Sequence, residues 1–410
     1  MLITNNLPKK DIFGRYKNLL IIGGGVLQHP TLVECQKLGL GKIVVDGNPD
    51  CYCFKSYLLK KDFFIHADIK DPKLVLSQVK KWLKKHRVKI VGVYTQGCDC
   101  AYTVAYVADK LGLPNIGVEV ARKCNNKREM WWAFHKAGIL QPNLIFDFLH
   151  YPAVVKPTDN CASRGLTIIN DISELLNAIK IAKDNSFEKK FIVQEFINGN
   201  EYSVDTIIYK GKVYPAGISD RIFLGKENYA IQNGSLTPSL LSSETQKTMY
   251  WIIQDCADAL GVKWGALKGD LIIDKEGKIY VLEVTARLSG GFDAQYRKPL
   301  SFGVNLIKAT IDLAVGNKLN FSDIIPKWFK YSQTFSIFPQ PGILKEIKGE
   351  KELRNIPGIE KVFITKHIGE LIEYKTCADR VIHIIACANT YNELQETIQK
   401  ARETIQFITE

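Results

Sequence analysis

Asp270-Leu-Ile-Ile-Asp-Lys-Glu-Gly-Lys-Ile-Tyr-Val-Leu-Glu-Val-Thr-Ala-Arg287 is the stretch on which the reading of this chain turns. Asp274-Lys-Glu-Gly277 has turn-forming composition and divides two apolar runs. Residues 266–273 and 278–284 are therefore expected to form an antiparallel hairpin. Such a hairpin puts Asp270 close to opposite Glu283. Like charges facing each other across a strand pair repel. A divalent cation between them removes that cost, and Mg²⁺ favours one or two carboxylates together with phosphate oxygens. The plainer alternative is a pair of solvent-facing acids on a twisted edge. The apolar flanks Leu271-Ile-Ile273 and Tyr280-Val-Leu282 argue instead for buried strands. Residues 283, 285 and 287 share one side for as long as the strand lasts. Arg287 then either pairs with Glu283 or adds positive charge to the same phosphates, where a guanidinium stabilises a transferring phosphoryl group. Ser289-Gly290-Gly291 follows, with bare backbone amides suited to an anion.

Two further constellations lie upstream. Ala153-Val-Val-Lys156-Pro157 puts a lysine at the end of a buried strand. The small, polar loop Thr158–Gly165 comes next, and its amides, Ser163 and Arg164 can fold over phosphates. It is not a Walker loop, because no Gly-Lys-Ser/Thr follows. Gln194-Glu195-Phe196-Ile197-Asn198-Gly199-Asn200-Glu201 reads as a strand end, a turn and an acid opening the next strand. The strand-end backbone can pair with an adenine edge, and Glu201 can accept from ribose hydroxyls. A plain turn with a solvated Glu201 is the alternative.

The first third of the chain alternates strands (19–23, 42–46, 90–94) with helices (31–38, 71–86, 101–111), the βαβ pattern of a parallel sheet covered on both faces. Gly23-Gly24-Gly25 invites a dinucleotide reading, and Asp46 lies near the place of a ribose-binding acid. Gln28, however, stands where the third glycine of that fingerprint belongs. The middle third gives a helix over 130–137, strands at 153–156, 166–169, 191–195, 202–209 and 213–218, and helices near 174–183, 244–260 and 304–315. Residues 326–341 read as a linker. The last 70 or so residues read as a small α+β unit, with strands near 361–365 and 381–386 and a closing helix over 391–407.

Length and composition fit this. A chain of 410 residues is expected to hold two to four domains. The formal charge of +12 is spread along the chain. Its densest cluster (Lys80, Lys81, Lys84, Lys85, His86, Arg87, Lys89) has no interleaved aromatic platform, so a nucleic-acid partner is not expected. The ten cysteines are scattered among apolar neighbours and read as reduced, buried thiols. None of the seven histidines falls in a recognisable hydrolase arrangement. No apolar run reaches about 18 residues and no signal-like segment follows Met1, so a soluble, cytoplasmic protein without a membrane partner is expected.

In this order the pieces resemble the ATP-grasp superfamily, over nearly the whole chain, and are closest to its L-amino acid ligase, carbamoyl-phosphate-synthetase-like and biotin-carboxylase-like members. Asn126-Lys127-Arg128-Glu129-Met130 is similar to the family's first ATP-binding lysine segment, and Val154-Val155-Lys156-Pro157 to the second. Ala162-Ser163-Arg164-Gly165 matches the phosphate-covering loop, and Glu195 to Glu201 the adenine hinge and ribose acid. Asp270, Glu283, Thr285 and Arg287 match the Mg²⁺ ligands and catalytic arginine, although the family usually has Asn where Thr285 stands. Residues 138–156 are short for the family, which leaves the ATP-contacting role open between Lys127 and Arg128.

The resemblance implies an α/β and α+β fold: a parallel-sheet pre-ATP-grasp domain over 1–115, a two-lobed ATP-grasp domain over 116–330 with its small lobe at about 150–205, and an α+β C-terminal domain over 331–410. It implies ATP and Mg²⁺ (or Mn²⁺) as cofactors, Arg287 and Lys156 as catalytic groups, and Lys127, Lys156, Ser163, Arg164, Gly165, Glu195, Ile197 and Glu201 as ATP contacts. Asp270, Glu283 and Thr285 would hold metal, and Ser289, Gly290, Gly291 and Arg297 would meet substrate. The implied reaction joins a small-molecule carboxylate to an amine through an acyl phosphate, and a homodimer is compatible with it. Three rivals stand beside it: activation of bicarbonate in carboxylase or carbamoyl-phosphate chemistry, a non-catalytic ATP-binding module, and a nicotinamide enzyme using the N-terminal sheet.

Overall fold

The computed structural model of the chain describes residues 8–12, 14–146, 150–161, 163–224, 228–374 and 380–410. Ala162 of the loop motif and Cys377 lie outside them. Strands β1 (Tyr16–Ile22), β2 (Gly41–Asp46), β3 (Phe64–His66) and β4 (Val88–Tyr94) form a parallel sheet in the order β3-β2-β1-β4. Leu19 to Ile22 and Ile43 to Val45 are fully buried, as strands covered on both faces must be. One face, through Leu19, Ile21 and Val44, packs on the helix His29–Leu38 and on Ile307 and Ile311, which come from a helix far along the chain, Leu306–Ala314. The other face, through Leu20, Ile22, Ile43 and Val45, packs on the helices Pro72–Leu83 and Ala101–Lys110. Asp71 caps the former by accepting from the Lys73 and Leu74 amides, with Pro72 at its first position.

The glycine turn after β1 has a structural explanation that the dinucleotide reading lacked. Asp46 Oδ2 accepts from the Gly24 amide at 2.6 Å and Oδ1 from the Asn48 amide at 2.7 Å. Its carboxylate is thus committed to the turn. A Cβ on Gly24 would meet Cys51 Sγ at 2.5 Å, so the glycine is needed for packing.

Strands β5 (Ala153–Pro157), β6 (Thr167–Ile169) and β7 (Phe191–Glu195) form a small antiparallel sheet in the order β6-β5-β7, backed by the helix Leu175–Asp184. The large sheet then begins with β8 (Gly199–Tyr209), β9 (Lys212–Leu224), β10 (Asn228–Thr237), β11 (Trp264–Asp274) and β12 (Ile279–Thr285). It is extended by β13 (Tyr331–Phe335). After β14 (Gly342–Lys348) come β15 (Ile359–Ile364), β16 (Leu371–Ile372), β17 (Ile382–Ala388) and β18 (Gln406–Thr409). The eight-stranded order is β12-β11-β8-β9-β10-β13-β17-β15, while β16-β14-β18 form a separate sheet.

Two expectations need correction here. Residues 331–335 are not linker but a buried strand between β10 and β17. Tyr-Ser-Gln-Thr-Phe looks solvated in sequence, yet Ser332, Gln333 and Thr334 are buried, their backbone satisfied by two neighbouring strands. The closing helix ends at Thr404, and Phe407 lies in β18. Its start is set by a capping box between Thr390 and Glu393. Strand β10 was not expected at all. Among the described residues no helix is long and apolar enough to cross a membrane, and the described cysteines are free thiols.

Candidate active site

Strands β11 and β12 pair antiparallel with Asp270 directly opposite Glu283. A register shift after Asp270 leaves Leu282 as the extra residue of a bulge. Asp270 is 4% exposed, so the two acids meet in a low-dielectric setting. Protein cations offset their repulsion. Lys268 Nζ lies 2.5 Å from Asp270 Oδ2, and Arg221 Nη1 lies 3.6 Å from the same oxygen. Ser203 Oγ donates to Asp270 Oδ1 at 2.8 Å. Lys127 Nζ lies 3.0 Å from Glu283 Oε2. Burial opposes ionisation of Asp270, but Lys268 and Arg221 hold its carboxyl well below the usual range. Glu283 is likewise lowered, burial being outweighed by Lys127.

These acids open onto a cavity of about 390 Å³ between the two larger sheets and the small one. Lys156, at the end of β5, lines it. Its Nζ makes no hydrogen bond or ion pair with a described residue. Burial and then the neighbouring Lys127 push its pKa down to about 8. Lys127 opens the helix Lys127–Lys136, capped by Asn126. Its Nζ bridges Glu283 and the Asn160 carbonyl, 2.6 Å away. Arg128 is exposed and does not line the cavity, whereas Lys127 does.

The loop after β5 contributes Ser163 and Arg164 to the cavity wall. Arg164 Nε donates to Asn160 Oδ1 at 3.2 Å, holding the loop on itself. Gly165 is not a lining residue. A Cβ there would lie 2.6 Å from Asn185 Cβ and 2.9 Å from Pro157 Cγ, so this glycine serves packing behind the loop. Glu195 and Ile197 line the opposite wall. The Glu195 carboxylate accepts from the Asn143 amide and side chain at 3.0 and 3.1 Å, while the Ile197 backbone makes no hydrogen bond with a described residue. Glu201 Oε2 lies 2.5 Å from Arg221 Nη1. Burial raises its pKa despite that arginine.

Arg287 departs from expectation. Strand β12 ends at Thr285, and the Arg287 amide turns back to the Thr285 carbonyl at 2.9 Å. Its guanidinium therefore meets Asp99, not Glu283. Nε and Nη2 donate to Asp99 Oδ1 at 2.9 and 2.5 Å, and Nη1 to the Leu288 carbonyl at 3.0 Å. Asp99 follows β4, so the pair ties the N-terminal sheet to the hairpin. Burial disfavours both charges, yet each holds its partner's in place: Asp99 is lowered and Arg287 raised. Both line the cavity.

Ser289, Gly290 and Gly291 also line it. The Ser289 amide is committed to Asp205 Oδ1 at 2.8 Å, while the Gly290 and Gly291 amides of that turn make no hydrogen bond with a described residue. Gly290 is tightly apposed to Gly97, whose Cβ, if present, would lie 3.0 Å from Gly290 Cα. Arg297 is 2% exposed; Nη2 lies 3.2 Å from Asp293 Oδ1, and Nε and Nη1 have no described partner. Lys298 beneath it pairs with Asp205 and with Asp293. Thr285 is the one expected metal residue that does not line the cavity, although its buried Oγ1 has no described partner.

Sequence reasoning missed Lys268 and Arg221. Lys268 had a signal, being two residues from Asp270 on the same strand face. Arg221 had none, since it arrives from an element distant in the chain.

The chain is similar to proteins of known family and fold. Residues 124–291 match the model of the ATP-grasp domain, and residues 334–410 that of L-amino acid ligase C-terminal domain 2. An alanine–anticapsin ligase of Bacillus subtilis (strain 168) is 25% identical over 243 residues, covering 51% of this chain and 51% of that protein. The matching region thus spans about half of that relative. The crystal structure of an L-amino acid ligase from Bacillus licheniformis superposes with a TM-score of 0.81 at 21% identity, covering 97% of this chain and 99% of that one. The biotin carboxylase domain of 2-oxoglutarate carboxylase from Hydrogenobacter thermophilus, in complex with MgADP, ADP and bicarbonate, superposes at 0.71 and 16% identity, covering 95% of this chain and 90% of that one.

Proposed function

We propose, from the premise that the chain belongs to the ATP-grasp superfamily, that it is an ADP-forming ligase joining a carboxylate to an amine through an acyl phosphate. The observation that carries this reading is the pairing of Asp270 with Glu283 in one cavity with Lys156 and Arg287. Two carboxylates opposite one another suit Mg²⁺ or Mn²⁺, which complete their coordination with phosphate oxygens and water. When bound, such a metal neutralises the phosphate oxygens. Thr285 drops out of this donor set because it does not line the cavity.

The chain's own groups divide the remaining work. The Ile197 backbone meets the adenine edge, beside Glu195, and Glu201 the ribose. Lys127, Lys156, Ser163 and Arg164 surround the phosphates. A carboxylate oxygen of the acid attacks the γ-phosphorus as the bond to the ADP oxygen breaks. Positioning and charge stabilisation by Lys156 and Arg287 lower that barrier. The amine nitrogen then attacks the acyl carbon, phosphate departs, and one proton is lost. Arg287 and the Gly290 and Gly291 amides stabilise the tetrahedral oxyanion. Asp99 acts through Arg287 as a positioning residue, and Arg297 faces the substrate.

The test is a phosphate-release screen over acids and amines with Mg²⁺-ATP, with mass spectrometry of the product. An amide product formed with one phosphate released per bond is the expected result. ADP formation driven by bicarbonate alone would replace this reading with the carboxylase one. In Arg287→Ala, calorimetry should still register ATP binding while phosphate release falls by at least about a hundredfold. Unchanged turnover removes Arg287 from the chemistry.

A further inference from the structure

One wall of the cavity comes from strands that the proposed chemistry does not use. Ser235 of β10, Thr334 of β13 and His383 of β17 all line it. Ser235 and Thr334 are cross-strand partners and so share a sheet face. The alternating residues Leu236, Phe335, Ile382 and Ile384 point the other way, into the C-terminal core. The face left toward the cavity is therefore polar by strand alternation. It backs directly onto the Asp293–Arg297 turn: Ser332 Oγ donates to the Arg297 carbonyl at 3.1 Å.

This wall holds buried polar atoms with nothing to bind. Thr334 is 4% exposed, and its Oγ1 has no partner among the described residues. Arg297 Nε and Nη1 are in the same condition. Each such atom gives up its hydrogen bonds to water without replacement, at greater cost when the group is charged, so three together on a cavity wall ask for a ligand. The His383 ring makes no hydrogen bond with a described residue either. Its ring is fixed edge-on to Phe292 at 5.3 Å, and Phe292 stacks on Phe363, the cross-strand partner of His383, at 4.4 Å. Burial, and then Arg380, push its pKa down to about 3, so it is a neutral imidazole with one N–H to give. The groups on offer are thus three guanidinium N–H on two nitrogens, a hydroxyl and an imidazole N–H. Arg297 and Lys298 are matched by Asp293 and Asp205, so what the wall offers is unpaired donors and not an excess of charge.

We propose that Arg297, Thr334 and His383 form a subsite for a substrate carboxylate other than the one that is phosphorylated. A donor-rich wall with a guanidinium satisfies a carboxylate better than an amide or an alkyl group. The carboxylate can come from the amine substrate or from the second carboxyl of a dicarboxylic acid. Thr334 and His383 are then specificity-determining residues supplied by the C-terminal strands. The inference rests on the ligase reading for the identity of the site.

Binding separates the two ideas. The full chain, loaded with Mg²⁺ and a non-hydrolysable ATP analogue, is titrated calorimetrically with amino acids against their carboxamides, and with dicarboxylic acids against their monoamides. The expected result is a preference for the free carboxylate of about tenfold or more in one arm, which identifies the source. Thr334→Val should reduce that preference several-fold with nucleotide affinity unchanged, and Thr334→Ser should restore it. Equal binding of acids and amides by the wild-type protein overturns the subsite, whatever its turnover. So does a Thr334→Val protein that keeps the full preference. Selective carboxylate binding without phosphate release from any acid and amine pair would instead leave the subsite standing and sink the proposed reaction.

Discussion

Arg287 and Asp99 form an ion pair whose members come from the hairpin and from the end of β4, and neither is free to move alone. Removing one partner of a mostly buried pair leaves an uncompensated charge, at a cost on the order of 2–4 kcal/mol. Asp99→Ala should therefore lower the midpoint of chemical denaturation. It should also cut phosphate release by about ten- to a hundredfold, because Arg287 loses its orientation. Full activity in that variant would mean that Arg287 is positioned by the substrates themselves. Lys156 offers a test by pH. Its pKa is depressed to about 8, so the ammonium that attracts phosphate is lost as pH rises through that value. ATP affinity should be flat below pH 7 and fall above 8, by at most about tenfold per pH unit. Lys156→Arg should flatten the curve, because a guanidinium stays charged. A wild-type affinity independent of pH from 7 to 9.5 would show that Lys156 does not meet the nucleotide as a cation.

At the scale of elements, two glycines that look alike in sequence do different work. Gly165 has φ +76°, and a Cβ there collides with Asn185 and Pro157. Gly291 has φ +61° with nothing within 4 Å of the added carbon. Gly165→Ala should cost about 2–4 kcal/mol, from left-handed strain together with overpacking. Gly291→Ala should cost only the strain, about 1–2 kcal/mol. Thermal denaturation of the two variants compares them directly. Equal losses would mean that the small sheet yields around Asn185. The hairpin behaves as the alternation of its residues requires: Lys268 and Asp270 share a face, and Glu283 is opposite. Turn and strand period bring the two acids near each other, but an unbroken register from Ile273 opposite Ile279 would set Asp270 against Leu282, and only the bulge at Leu282 makes Glu283 its partner.

At the scale of the whole molecule, the C-terminal segment is part of the site. β13, β17 and β15 continue the sheet that carries Asp270, and β10 pairs with β13 along four residues. The helix Leu306–Ala314 likewise covers a face of the N-terminal sheet. A chain ended at residue 330 should expose the β10 edge and the apolar face beside Leu236. Aggregation on size-exclusion chromatography is the expected outcome. A soluble, monomeric truncation with intact ATP binding would show that the C-terminal strands are dispensable.

Local pattern in the chain determined a good deal. The parallel sheet follows from buried runs separated by capped helices, the hairpin from its tetrapeptide turn, and the nearness of Asp270 to Glu283 from their count of residues to that turn, although the bulge at Leu282 that sets them opposite was not legible. Lys156 at a strand end and the small-residue loop after it were legible for the same reason, since each depends only on neighbours in sequence. Tertiary structure alone decided which cation meets which acid. Arg287 chooses Asp99, Lys127 chooses Glu283 and Arg221 chooses Glu201, because long side chains select partners by distance in space. It also decided that Tyr331–Phe335 is a buried strand. A polar segment is buried only when neighbouring strands from elsewhere in the chain satisfy its backbone, and no local window of sequence contains them.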